Sequence, residues 1–161
     1  MTRFSIRPAR PEDAGLVQAL ILELAEYERL AHEAVISLSD VERALFGDPP
    51  RAFCDIAWDG EAGIGFALWF YSFSTFVGRA GIWLEDLYVR PLARGRGVGK
   101  ALLAGLARRC RAENLGRLEW AVLNWNSPSI AFYDSLGASA LTDWTTRRLT
   151  GKAIATLAEE G

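Results

Sequence analysis

The stretch Glu85-Asp86-Leu87-Tyr88-Val89-Arg90-Pro91-Leu92-Ala93-Arg94-Gly95-Arg96-Gly97-Val98-Gly99-Lys100 decides the fold. Its first five residues end an apolar run that begins near Gly81, so a β-strand is expected from Gly81 to Val89, stopped by Pro91. Its last residues open a segment in which Leu102, Leu103, Leu106 and Cys110 share one helical face, which predicts a helix from Val98 to Glu113. Between strand and helix, glycines at alternate positions let the backbone come close to a ligand and turn its N–H groups inward. The positive end of the helix then favours an anion, and a pyrophosphate suits it. Arg94, Arg96 and Lys100 can add full charges.

Spacing separates this loop from two other phosphate-binding patterns. A Walker loop needs glycine at position 94 and Ser or Thr after the lysine, where the chain has Arg94 and Ala101. A dinucleotide fingerprint starting at Gly95 needs glycine at position 100, which is Lys100. The competing reading, a glycine-rich turn that binds nothing, is opposed by the flanking strand, the helix and three cations.

Upstream of the loop, Phe4-Ser5-Ile6-Arg7 alternates as a half-buried strand does. Pro11-Glu12-Asp13 then opens a helix whose apolar residues Leu16, Val17, Leu20, Leu24 and Tyr27 carry it to about Leu30. Ser39-x-x-Glu42 has the form of a capping box for a short helix ending near Gly47. Ala52 to Trp58, Ile64 to Phe73 and Gly81 to Val89 read as an antiparallel meander. Downstream come a strand from Leu118 to Leu123, a helix opened by Ser127-Pro128 with Gly137 as its C-cap, and a last strand from about Ala140 to Leu149. This order predicts one α/β domain, residues 1–161, with a mixed sheet flanked by about four helices.

Composition narrows the function. A net charge of −2 gives no broad basic field, which argues against nucleic acid. Cys54, Cys110 and His32 fit no metal-ligand spacing, so no metal is expected. The two cysteines read as small reduced side chains, and His32 as a solvent-facing residue after the first helix. No run approaches a membrane span and the N-terminus lacks a signal-peptide core, so a cytoplasmic protein is the default expectation.

Glu85-Asp86-Leu87-Tyr88-Val89 with Arg94-x-x-Gly97-x-Gly99 resembles the acetyl-CoA signature of the GNAT acetyltransferases. Leu24-Ala25-Glu26-Tyr27-Glu28, Trp83-Leu84-Glu85-Asp86 and Trp125-Asn126-Ser127-Pro128-Ser129-Ile130-Ala131-Phe132-Tyr133 are similar to the diamine and thialysine acetyltransferase subgroup. The similarity runs from Ile6 to Leu149. It implies a V-shaped splay between the strands ending at Val89 and Leu123, with acetyl-CoA as donor. The pantetheine arm would pair with the backbone of Leu87 and Val89. Amides from Gly95 to Lys100, including Arg96, Val98 and Gly99, would take the pyrophosphate. Asn126 and Ser129 would flank the arm's far side, and the amide of Leu87 or Tyr88 would polarise the thioester carbonyl.

Acetyl transfer to an amine needs an ammonium deprotonated, a developing oxyanion stabilised and a thiolate protonated. Glu85 is the candidate base, because an apolar strand would desolvate it and raise its pKa. Asp86 would face the other way in a regular strand, unless a bulge re-aims it. The competing reading of Glu85 is an ordinary strand carboxylate in a salt bridge. The resemblance puts at Tyr133 a tyrosine that protonates the departing sulfur. A phenol of pKa ~10 can do so for a thiolate whose conjugate acid, like that of cysteine, lies at ~8.5. A packing tyrosine is the alternative there.

Tyr27 and Glu28 match acceptor-side residues of the polyamine-acetylating relatives, where a carboxylate could hold a distal ammonium. Those relatives carry further acids where this chain has Ser74-Thr75-Phe76 and Ala155. Fewer acids favour a shorter amine, or an amino acid with a side-chain amine such as thialysine or lysine. The expectation is thus a small-molecule amine acetyltransferase, with a protein or peptide acetyltransferase and a non-catalytic acyl-CoA-binding module as alternatives. The resemblance also implies a homodimer sharing C-terminal strands, and residues from Gly151 on are expected to pack on the domain or a partner.

Overall fold

A computed structural model describes residues 3–160 of the chain. Five strands form one sheet in the order β1-β2-β3-β4-β5. They are β1 (Ser5–Pro8), β2 (Phe53–Asp59), β3 (Ala62–Ser74), β4 (Arg79–Val89) and β5 (Leu118–Glu119). The first four pair antiparallel and β5 joins β4 in parallel, so the sheet is mixed as expected. The helices are α1 (Ala14–Tyr27), α2 (Leu38–Phe46), α3 (Val98–Ala112), α4 (Ser127–Ser135) and α5 (Gly151–Ala158).

Contacts divide the chain into a first compact unit ending at Leu123 and a second beginning at Asn124. In the first, α1 and α2 lay Val17, Leu20, Leu24, Val41 and Leu45 against Cys54, Ile56, Phe66 and Tyr88 of the sheet. α3 packs on β2, β3 and β4 and buries Leu102, Leu103 and Leu106 of the expected apolar face together with Val98, while Cys110 of that face is only half-buried. Burying these side chains contributes about 1.5–3 kcal/mol each relative to exposure, before ordering costs.

Three local expectations are corrected. The capping box of α2 uses Ser37 and Asp40 rather than Ser39 and Glu42. Ser37 Oγ accepts from the Asp40 amide at 3.1 Å, and Asp40 Oδ2 accepts from the Ser37 amide at 2.9 Å. The strand expected to run to Leu123 stops at Glu119. The strand expected from Ala140 to Leu149 is not formed: these residues have no strand or helix, and Leu141, Trp144 and Leu149 are exposed. A strand is stabilised by pairing and by burial of one face, and the second unit, among the described residues, holds no other strand to pair with.

Within that second unit, α4 ends as expected, with Gly137 at φ 83° just after the C-cap Leu136. Gly151–Ala158 form α5, whose Ile154 and Leu157 are exposed.

Candidate active site

A bulge in β4 decides where its two acids point. Leu68 of β3 lies opposite Asp86, and the next residue, Trp69, lies opposite Leu84. Glu85 is therefore the extra residue, without a partner on β3. In a regular strand Leu84 and Asp86 would share a face. The bulge separates them. Leu84 joins Trp69 on the side of α3, while Asp86 joins Leu68 and Tyr88 on the side of α1. Glu85 itself is exposed, and its Oε2 accepts a hydrogen bond from Trp83 Nε1 at 3.0 Å.

Desolvation thus falls on Asp86 and not on Glu85, where the apolar run alone places it. Burial pushes the Asp86 carboxyl up to about 7, helped by the charge of Glu85 and then of Glu28. Glu28, the C-cap residue of α1, is raised too, first by burial and then by Glu85. Three carboxylates from two elements are close enough to feel one another. Such a cluster holds a proton near neutrality or welcomes a cation in its place.

The glycine loop takes the form the sequence implied. Gly95 and Gly97 have φ of 75° and 80°, a left-handed backbone that side chains disfavour. Gly97 is the N-cap of α3, no side chain caps the helix, and the space beside both α-carbons is open. The first-turn amides of Val98, Gly99 and Lys100 therefore face outward at the positive end of a helix of 15 residues. The arginines do not all point there. Arg94 lays its guanidinium over the rings of Tyr27, at 4.9 Å, and Tyr88, at 5.7 Å, and donates from Nε to the Val89 carbonyl at 2.8 Å. Arg96 pairs with Asp59 of the β2–β3 turn at 2.9 Å, and its Nε is buried with no hydrogen-bond partner. Aromatic faces direct the one cation and a nearby carboxylate the other. Lys100 remains exposed.

Beyond Trp83, β4 keeps β3 on one side, and on the other β5 has already ended among the described residues. Leu87 and Val89 lie in this stretch, paired with Ala67 and Gly65 of β3 on one side and without a β5 partner on the other. An open strand edge leading into outward-facing amides fits the extended, pyrophosphate-bearing shape of acetyl-CoA.

Three stabilising contacts are not among the expectations from the sequence pattern: Arg90 with Glu23, Trp83 with Glu85, and Arg96 with Asp59. Arg90 grips Glu23 of α1 through Nε and Nη2, at 2.7–3.2 Å, and donates from Nη1 to the Gly63 carbonyl at 2.8 Å. This ties the end of β4 to α1 and β3. Trp83, two residues before Glu85 on the same strand, was legible in principle from that spacing. Asp59 was not, because its partner Arg96 is far away in sequence. His32 is exposed at the surface, as expected.

In the second unit, Asn126 is buried and its Oδ1 accepts from the Ser129 amide at 3.4 Å, capping α4. Tyr133 lies on the same helix, its ring 5.4 Å from that of Phe132.

The glycine loop at the start of α3 follows directly on the β4 stretch that carries Glu85 and Asp86 and is open on its β5 side. The sequence profile of the Acetyltransferase (GNAT) family matches residues 17–138, and the chain belongs to that family. The family uses acetyl-CoA as its donor. The chain is 36% identical to the thialysine N-epsilon-acetyltransferase of Caenorhabditis elegans, over 99% of this chain and 100% of that one. It is 28% identical to the L-ornithine N5-acetyltransferase NATA1 of Arabidopsis thaliana, over 92% and 85% respectively. Among solved structures, an integron cassette protein from the mobile metagenome of V. cholerae superposes with a TM-score of 0.82 at 25% identity, each chain covered to 99%.

Proposed function

We propose that this protein acetylates the primary amine of a small molecule, either an amino acid with a side-chain amine or a short diamine. The observation that carries the reading is the cluster of Glu28, Glu85 and Asp86, with Asp86 held near 7. An ammonium is drawn to three carboxylates, and a carboxyl that titrates near neutrality can take its proton. The names of the thialysine and ornithine enzymes support the same substrate class.

In this reading Glu28 and Glu85 hold the ammonium, and Trp83 keeps the Glu85 carboxylate oriented. Asp86 removes the proton at a carboxylate oxygen, a role better matched to its burial than to the exposed Glu85. Tyr27 would wall the acceptor side. Bound at the loop, acetyl-CoA supplies an activated thioester carbonyl. Amides from Gly95 to Lys100 would hold its pyrophosphate, the backbone of Leu87 and Val89 its pantetheine arm, and the Leu87 or Tyr88 amide would stabilise charge on the carbonyl oxygen. Asn126 and Ser129 would line the arm's other side. Tyr133 would hold its proton at Oη for the departing sulfur.

Three further readings belong to the proposal. The chain acts as one domain, supported by a family match that continues past Leu123 to residue 138. It works as a homodimer, supported by exposed Trp144, Leu149, Ile154 and Leu157 in the second unit. It resides in the cytoplasm, a reducing compartment that suits free Cys54 and Cys110.

The test is an amine panel with purified protein and acetyl-CoA, followed by release of free thiol. Thialysine, lysine, ornithine or a short diamine should support turnover. Turnover with peptides alone, or with none of these amines, would overturn the small-molecule reading.

A further inference from the structure

A pocket lies in the first unit beside the end of β1, where Pro8 and Ala9 meet β2. It has a volume of about 130 Å³ and is lined by Phe53, Asp55, Trp69, Tyr71 and Arg109, with Phe46 and other apolar residues completing its wall. None of these residues belongs to the acid cluster or the glycine loop. The size is close to that of a cavity that takes up benzene, ~150 Å³.

Its walls are aromatic and ordered. Phe53 stacks on Trp69 at 4.7 Å, and Tyr71 meets Trp69 edge-on at 5.1 Å. The Asp55 carboxylate accepts a hydrogen bond at Oδ2 from Trp69 Nε1 at 3.3 Å. Burial raises its carboxyl, with that bond and Arg109 acting in the opposite direction. The local charges favour a cation. Arg109 is already paired with Glu113 at 3.2 Å, and Tyr71 donates its hydroxyl to the same glutamate at 2.7 Å. Glu113, outside the lining, thus offsets much of the Arg109 charge, and Asp55 is the acid that lines the pocket. Arg109 also lies over the Trp69 ring at 5.0 Å, a cation–π contact made on this aromatic wall.

We propose that this pocket is a second small-molecule site, separate from the acetyl-transfer site, which takes a primary ammonium on a flat apolar body of about benzene size. The ammonium donates to Asp55, and the ring packs among Phe53, Trp69 and Tyr71. An anion is disfavoured by Asp55 and Glu113, and a neutral alcohol lacks the charge that Asp55 selects.

The test uses the full chain labelled with ¹⁵N and follows the indole N–H signal of Trp69, identified by its loss in Trp69→Phe. Benzylamine should move this signal saturably at millimolar concentration. Benzyl alcohol should bind at least about tenfold more weakly, the scale of one charge-assisted hydrogen bond. Asp55→Asn should weaken benzylamine to a similar degree. An unmoved Trp69 signal with benzylamine, or equal binding of amine and alcohol to the unaltered protein, would overturn the proposal. So would unchanged benzylamine binding in a folded Asp55→Asn protein.

Discussion

Asp86 faces Leu68 across β3 and β4, on the side of the sheet that α1 covers, because Glu85 occupies a bulge just before it. A carboxyl so placed is costly to ionise, and its pKa near 7 records that cost. The folded state therefore holds the Asp86 proton more tightly than the unfolded chain does. The stability this confers is fully present below the ordinary carboxylate range and is lost as pH rises through about 7. Asp86→Asn should melt a few degrees above the unaltered protein at pH 8, at about 2–4 °C per kcal/mol, and close to it at pH 5. Thermal melts at both pH values check this; a less stable variant at pH 8 would contradict it.

Glu28 reaches the cluster from the end of α1 and helps to raise Asp86. Removing its charge should lower the Asp86 pKa and loosen the grip on ammonium. Glu28→Gln is expected to raise KM for the amine about tenfold, with the acidic limb of the rate profile moved below that of the unaltered enzyme. Steady-state kinetics across pH 5.5–9 reads both effects at once.

Gly97 combines a φ of 80° with open space beside its α-carbon, so an added methyl group meets conformational strain and no clash. Gly97→Ala should cost about 1–2 kcal/mol of stability and raise KM for acetyl-CoA as the loop amides turn away. Gly97→Asn should lose less on both counts, since asparagine tolerates this backbone. Equal losses would show that the left-handed turn is not what the position needs.

Tyr133→Phe keeps the ring on α4 and removes only the hydroxyl. If the hydroxyl supplies the proton to the departing sulfur, kcat should fall by about 10²-fold or more while acetyl-CoA affinity changes little. A large loss of affinity with modest change in kcat would assign Tyr133 to packing instead.

The loop and its helix were readable because the signal is local. Glycine spacing, the apolar face of α3 and the strand before Pro91 all lie within one continuous stretch. The acids were visible as residues but not as an arrangement. Whether Glu85 or Asp86 is desolvated depends on a single unpaired residue in β4, which periodicity cannot locate. The side-chain directions of Arg94 and Arg96 were equally hidden, since Tyr27 and Asp59 come to them from other elements. At the C-terminus the apolar residues from Ala140 to Leu149 looked like a strand because β-propensity does not reveal whether a partner strand is present.

The pH dependence of kcat/KM for the amine, compared between the unaltered enzyme and Asp86→Asn, tests the central claim most directly. If Asp86 takes the proton, the unaltered enzyme gains activity as pH rises through about 7. The Asn variant should then be about 10²–10⁴-fold slower at pH 8 and lack that inflection. An Asn variant with near-normal rate and the same inflection would contradict the account.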